Sequence, residues 1–210
     1  MKKSVYSLVL MDSVIKAVDE QAYKLGTSRS NLINQILAER LCCVTPEMRM
    51  REIFDSVAGM ISNSFQVQQQ GSASLMTLKT ALAYKYRPAV NYKVELQREP
   101  DEFIGQLRVQ IRTQNQSLIR LFNHFFVYRS ELESRCISEH GYDNYTCELS
   151  SGSFTRKLIN GMSGENTSTA ISEYINHLNK SMQLFFSSPE DFPEYLTENE
   201  YMEMLSRHVI

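Results

Sequence analysis

The sequence predicts an α+β protein in two parts. A small β-α-α module fills residues 1–44, a connecting helix and loop fill 45–74, and an antiparallel three-stranded sheet with helices fills 75–210. Three observations carry this reading. Apolar residues recur at helical spacing on both sides of Gly26, strict two-residue alternation occurs three times between Met76 and Thr113, and helical spacing returns from about Asn115. A chain of 210 residues has room for more than one such unit.

In the first part, residues 5–10 (VYSLVL) are β-branched, aromatic or aliphatic and too few for a helix, so they read as a strand. Asp12 is placed to cap a helix whose Val14, Ala17, Val18, Ala22 and Leu25 share one side. Gly26 ends it, since glycine takes a left-handed backbone without steric cost. Ser28 is placed to cap a second helix with Leu32, Ile33, Ile36, Leu37 and Leu41 inward. One strand and two short helices cannot close a core, so a twin chain pairing strand to strand is the expected repair.

The second part opens with a helix signal at Thr45-Pro46-Glu47, a cap followed by proline and an early acid. That helix runs to about Ser62 on Met50, Ile53, Phe54, Val57 and Met60, and the polar run 62–74 reads as a linker. Met76 to Tyr86, Val90 to Gln97 and Phe103 to Thr113 then alternate apolar with polar, and read as strands joined by tight reversals at Arg87-Pro88 and Glu99-Pro100-Asp101. The apolar side of this sheet needs a cover, which a helix from about Asn115 to Glu139 supplies. A short helix is read over Phe154 to Ile159 and a longer one from about Ser168 to Phe186. Thr197 and Glu200 have capping-box spacing before a last helical turn or two.

The order strand, helix, Gly-Thr-Ser-Arg-Ser, helix resembles the ribbon-helix-helix DNA-binding proteins, a family of small bacterial repressors and antitoxins, over roughly the first fifth of the chain. The resemblance implies an intertwined homodimer whose paired strands lie in the major groove of double-stranded DNA. Lys3, Val5, Ser7 and Val9 would face the bases, and the helix start at Ser28, Arg29, Ser30 and Asn31 would hold a phosphate. The outward valines depart from the polar pattern of the family. They suit thymine methyls or, equally, another protein surface.

Net charge is -2, but its distribution is uneven: +2 over residues 1–45, +4 over 46–129 and -8 over 130–210. The front of the chain therefore suits an anionic partner and the back does not. Cys42, Cys43, Cys136 and Cys147 form no disulfide framework, which fits reduced thiols and a cytoplasmic setting. No apolar run spans a bilayer and no cleavable leader is evident, so neither a membrane nor secretion is expected.

Among candidate sites, the polar side of the sheet collects Lys79, Lys85, Lys93, Arg108 and Arg112, a face for an anionic ligand or simply a solvated one. Cys136 and His140 have the offset of half a metal site, and a structural cysteine beside a surface histidine is the plainer reading. His124, His177 and His208 stand alone, and no phosphate loop or paired-carboxylate motif is present. No cofactor, metal or catalytic activity is expected. The reading is a sequence-specific transcriptional regulator, a homodimer that the second domain builds into a tetramer or controls through a small effector of unspecified chemistry. The alternative is an oligomeric protein-interaction scaffold that uses the same N-terminal fold for dimerisation without binding DNA.

Overall fold

The computed structural model describes residues 7–68, 72–161 and 166–210. The chain forms two compact units, Met1–Arg49 and Met50–Ile210.

In the first unit, α1 (Asp12–Lys24) and α2 (Arg29–Arg40) are joined by a turn in which Gly26 has φ +60°, as its position required. The Ser28 hydroxyl caps α2 by accepting from the Asn31 amide at 3.2 Å. Asp12 does not cap α1: the cap position is Met11, and Asp12 is the first helical residue, where its charge favours the dipole. A third helix, α3 (Pro46–Met60), starts after Thr45, whose Oγ1 accepts from the Met48 amide at 3.1 Å. Of the apolar positions on α1 and α2, Ala22, Leu32 and Ala38 are buried, whereas Val14, Leu25, Ile36 and Leu37 remain exposed.

These elements overturn the ribbon-helix-helix reading. Lys3 and Val5 lie outside the described residues. Ser7 to Leu10, within the expected strand, are in no strand, and Val9 is fully exposed. Three helices therefore precede any strand among the described residues, which is not a β-α-α order. β-propensity marks a segment that fits a pleated surface, but a strand exists only where another backbone takes its hydrogen bonds. With no ribbon strand among the described residues, the intertwined dimer and tetramer, the groove-reading role and the DNA-free dimer scaffold lose the element they rested on.

The second unit corrects the three-stranded sheet as well. It holds a six-stranded, open antiparallel sheet in the order β1-β2-β3-β4-β6-β5. Its strands are β1 (Gln66–Gln68), β2 (Leu75–Ala81), β3 (Ala89–Leu96), β4 (Phe103–Ile111), β5 (Cys147–Ser150) and β6 (Ser153–Ile159). The three alternating runs became β2, β3 and β4. β1 hides in the polar run read as a linker, because an exposed edge strand needs no apolar side chain. β6 occupies the segment read as a short helix: Phe154, Arg156 and Leu158 all point inward, and an inward arginine masks the alternation. Gly105 of β4 is required where it stands, since a Cβ there would lie 2.1 Å from the Glu95 carbonyl oxygen.

One face of the sheet carries Val90, Tyr92, Val94, Leu107, Val109 and Phe154, all fully buried. Two long helices at the expected places cover it, α4 (Gln116–Glu139) and α5 (Thr167–Ser187). The Asn115 side chain caps α4 on the Ser117 and Leu118 amides, and the Phe126 ring of α4 stacks on Phe154 at 4.4 Å. The last helix, α6 (Glu194–Arg207), begins earlier than the Thr197 and Glu200 spacing implied, and Thr197 is buried in its first turn.

A charged cluster runs through this core. Glu133 of α4 accepts from Arg129 Nε at 2.5 Å, from the Tyr174 hydroxyl at 2.8 Å and from the Tyr145 hydroxyl at 3.2 Å. Arg156 of β6 lies 3.1 Å from the same carboxylate, and Arg129, Glu133 and Arg156 have no solvent exposure. Burial alone would raise the Glu133 carboxyl. Arg156 and Arg129, with the Tyr174 and Arg129 hydrogen bonds, outweigh it and hold the group below its ordinary value. The Arg129 guanidinium faces the Tyr201 ring at 4.3 Å and that of Arg156 the Tyr174 ring at 4.4 Å. Arg156 also donates to the main-chain oxygen of Ile210.

Removing the shared carboxylate would leave two guanidiniums facing each other in a dry core. Glu133→Gln should therefore destabilise by about 3–5 kcal/mol in chemical denaturation. Replacing Arg129, Glu133 and Arg156 together by apolar residues of similar volume should recover most of that loss.

Candidate functional site

The helices cover one side of the sheet, so alternate residues of its strands face outward, and strand register decides which of them meet. Thr77, Lys93, Arg108 and Thr155 form one row across β2, β3, β4 and β6, with Gln68 and Glu148 at its ends. The next row is Lys79, Asn91, Gln110 and Ser153, and on the other side Glu95, Gln106 and Lys157 align. Lys93 and Arg108 are both exposed and directly opposite each other. Like charges in that position cost about 0.2–1 kcal/mol. Among the described residues neither is in an ion pair. Of the acids on the same face, Glu148 ends the row, and Glu95 accepts from Gln106 Nε2 at 2.8 Å. Arg108 Nε donates to Thr155 Oγ1 at 3.1 Å, which orients the guanidinium of this exposed residue.

Of the five cations expected on this face, Lys79, Lys93 and Arg108 sit within the strands. Arg112 lies one residue beyond β4, where its amide donates to the Ala89 carbonyl. Lys85 lies off the sheet, in the segment between β2 and β3, with its ammonium 5.3 Å from the centre of the Tyr86 ring. Tyr86 and Arg87 in that segment both have positive φ, 66° and 45°, a conformation that costs non-glycine residues energy.

Of the residues assigned to phosphate at the start of α2, Ser28, Arg29 and Asn31 make contacts within the chain. Ser28 and the Asn31 amide bond each other, and Arg29 pairs with Asp19 of the same chain, Nη2 to Oδ2 at 2.6 Å. Ser30 is exposed in the first turn, and Ser7 and Val9 are exposed in the segment before α1. His140 Nδ1 is 2.8 Å from the Cys136 carbonyl oxygen. Among the described residues no group of three His, Cys, Asp or Glu converges to hold a metal, and no helix is long and apolar enough to cross a membrane.

Between the last two helices lies a groove of about 340 Å³. Glu173, Asn176, His177 and Lys180 line it from α5, and Glu200, Glu203, Met204 and Arg207 from α6. Lys180 Nζ pairs with Glu200 at 2.6 Å, and Arg207 stands 3.7 Å from Glu173. His177 lines it with a side chain that is 9% exposed, its ring stacks on Tyr201 at 5.7 Å, and its Nε2 stands 4.0 Å from Glu200. Burial, reinforced by the Arg129 charge, pushes His177 down to about 3, so it is neutral at physiological pH.

Sequence reasoning missed both the hydroxyls that frame the basic row and this whole groove. Thr155 was lost with the strand that carries it. In the groove each helix contributes positions at i, i+3, i+4 and i+7, a legible stripe, but periodicity does not say which two stripes will meet. No protein family, curated protein or solved structure matches this chain.

The histidine makes a pH prediction. Its folded-state value lies below the unfolded one near 6.5, so the unfolded chain binds the extra proton and stability falls as pH drops from 6.5 toward 3. Between pH 7 and pH 5 the parent should lose about 2 kcal/mol more than His177→Phe, which keeps the ring stack and cannot titrate. Denaturant midpoints at the two pH values measure the difference.

Proposed function

We propose that the sheet unit is a non-catalytic binding module whose open face receives a ligand bearing phosphate or carboxylate oxygens. The observation that carries this reading is Lys93 opposite Arg108, two exposed cations in no ion pair among the described residues, on a surface with room for polar residues of any kind. Arg108, oriented through Thr155, can offer paired N–H donors to two oxygens of one anion, and Lys93 adds a point charge beside them. Thr77 and Thr155 flank the pair with hydroxyls, and Lys79 extends the positive face by one row. A bound anion removes the repulsion between the cations, so ligand binding and local relief coincide. The four cysteines are free, which supports a reducing compartment, the cytoplasm in this reading.

Titration calorimetry at low ionic strength with pyrophosphate, and with citrate as the carboxylate arm, tests the proposal. Lys93→Thr and Arg108→Thr should each weaken binding by about tenfold or more, the loss of one charge-assisted contact. Lys16→Thr on α1 should leave it unchanged. Neither sheet variant should lose stability, and a gain of a few tenths of a kcal/mol is expected from the lost repulsion. Absence of binding in the parent, or equal affinity in all variants, would reject the assignment.

A further inference from the structure

The register that sets Lys93 against Arg108 puts two further cations in line with them. Lys79 of β2 is opposite Asn91 and so lies diagonal to Lys93, and Lys157 of β6 is opposite Gln106 and so lies diagonal to Arg108. The four residues cross the adjacent strands β2, β3, β4 and β6 as one slanting track. Directly opposed side chains stand about 5 Å apart and diagonal ones about 7–8 Å, so the track is about 20 Å long. Lys93, Arg108 and Lys157 are exposed and Lys79 is half-buried, and none of the four is in an ion pair among the described residues. Lys157 Nζ rests 4.7 Å from the centre of the Phe103 ring, which fixes that end of the track. Glu95 and Glu148 lie on opposite sides of the line: Glu95 shares the row of Lys157 two strands away, and Glu148 lies beyond Thr155 in the row of Lys93 and Arg108.

Resting on the anion-binding role of this face, we propose that the track is the binding path of single-stranded RNA, with successive phosphates on Lys79, Lys93, Arg108 and Lys157. A compact anion on Lys93 and Arg108 leaves both ends of the track unused, whereas a linear polyanion neutralises all four cations. One row of cations matches one phosphate backbone, and a duplex presents two. Each cation also has a neutral amide or hydroxyl side chain directly opposite it: Asn91 for Lys79, Thr77 for Lys93, Thr155 for Arg108 and Gln106 for Lys157. A ribose carries a 2′-hydroxyl, both donor and acceptor, beside each phosphate, and an inorganic polyphosphate has no such group. Glu95 and Glu148 repel a backbone that strays to either side and so confine it to the diagonal.

Fluorescence anisotropy of a labelled 12-nucleotide oligouridylate with the full chain, repeated across salt concentrations, tests the path. Four neutralised phosphates give a log–log salt slope of about -3, at about 0.7 per phosphate of a single strand. Lys79→Thr and Lys157→Thr should each flatten that slope by about 0.7 and weaken binding about tenfold at low salt. Lys16→Thr on α1 should change neither. Both sheet variants place a good strand former on the outer side of a strand and should keep the parent's denaturation midpoint, which separates lost binding from lost folding. The matched deoxyuridylate strand should bind severalfold more weakly. Equal affinity for that strand, or for polyphosphate or polyglutamate of the same charge, would overturn the proposal, as would an unchanged slope in both variants. Binding of pyrophosphate without binding of the oligouridylate would overturn it while leaving anion binding at Lys93 and Arg108 intact. Binding of neither would reject both.

Discussion

A single buried carboxylate ties the second unit together. Glu133 projects from α4 and is reached by Arg156 from β6, Tyr174 from α5, Tyr145 from the segment before β5, and Arg129 from one turn earlier on its own helix. Tyr201 of α6 joins through the face of its ring. Two guanidiniums in a dry interior are tolerable only because one anion lies between them and aromatic faces surround them. Such a cluster adds little net stability over an apolar core of the same shape. What it imposes is geometry, because Arg129, Tyr145 and Tyr174 must each aim a hydrogen bond, and Arg156 its charge, at the same two oxygens. The covering helices are thereby held in one register against the sheet, and the groove between α5 and α6 is a consequence of that placement.

The two faces of the sheet divide the labour. The inward face is apolar apart from Thr80 and Arg156 and carries the core, so its residues are constrained by packing. The outward face is free of that constraint, which is why the opposition of Lys93 and Arg108 is informative. A surface selected for stability alone would have alternated charges across the strands. Cost retained at an exposed position points to use.

The failed reading of the first unit has a plain physical cause. Composition identified a segment able to form a strand, and the turn at Gly26, the caps at Ser28 and Thr45 and the helices themselves formed where the residues indicated. A strand, however, is a relation between two backbones. Nothing in residues 7–10 supplies the second one, and the family likeness failed with it. Similar reasoning accounts for β1, β5 and β6. Edge strands without apolar alternation, and a strand that turns an arginine inward, carry weak local signals because their pairing is decided by distant residues.

Local chemistry therefore determined what is local in this protein. The places of α1 to α5, the stop at Gly26, the central strands β2 to β4 and the basic character of their outer side follow from periodicity, capping residues and glycine. Only the tertiary structure decided the sheet's order and register, and with them the opposition of Lys93 and Arg108 and the oxygen of Thr155 that orients the latter. It alone brought Arg156 to Glu133 across 23 positions of chain and His177 to the wall of a groove. The reason is the same in each case. Charge pairing and burial depend on distance in space, and sequence spacing measures that distance only within a single helix or strand.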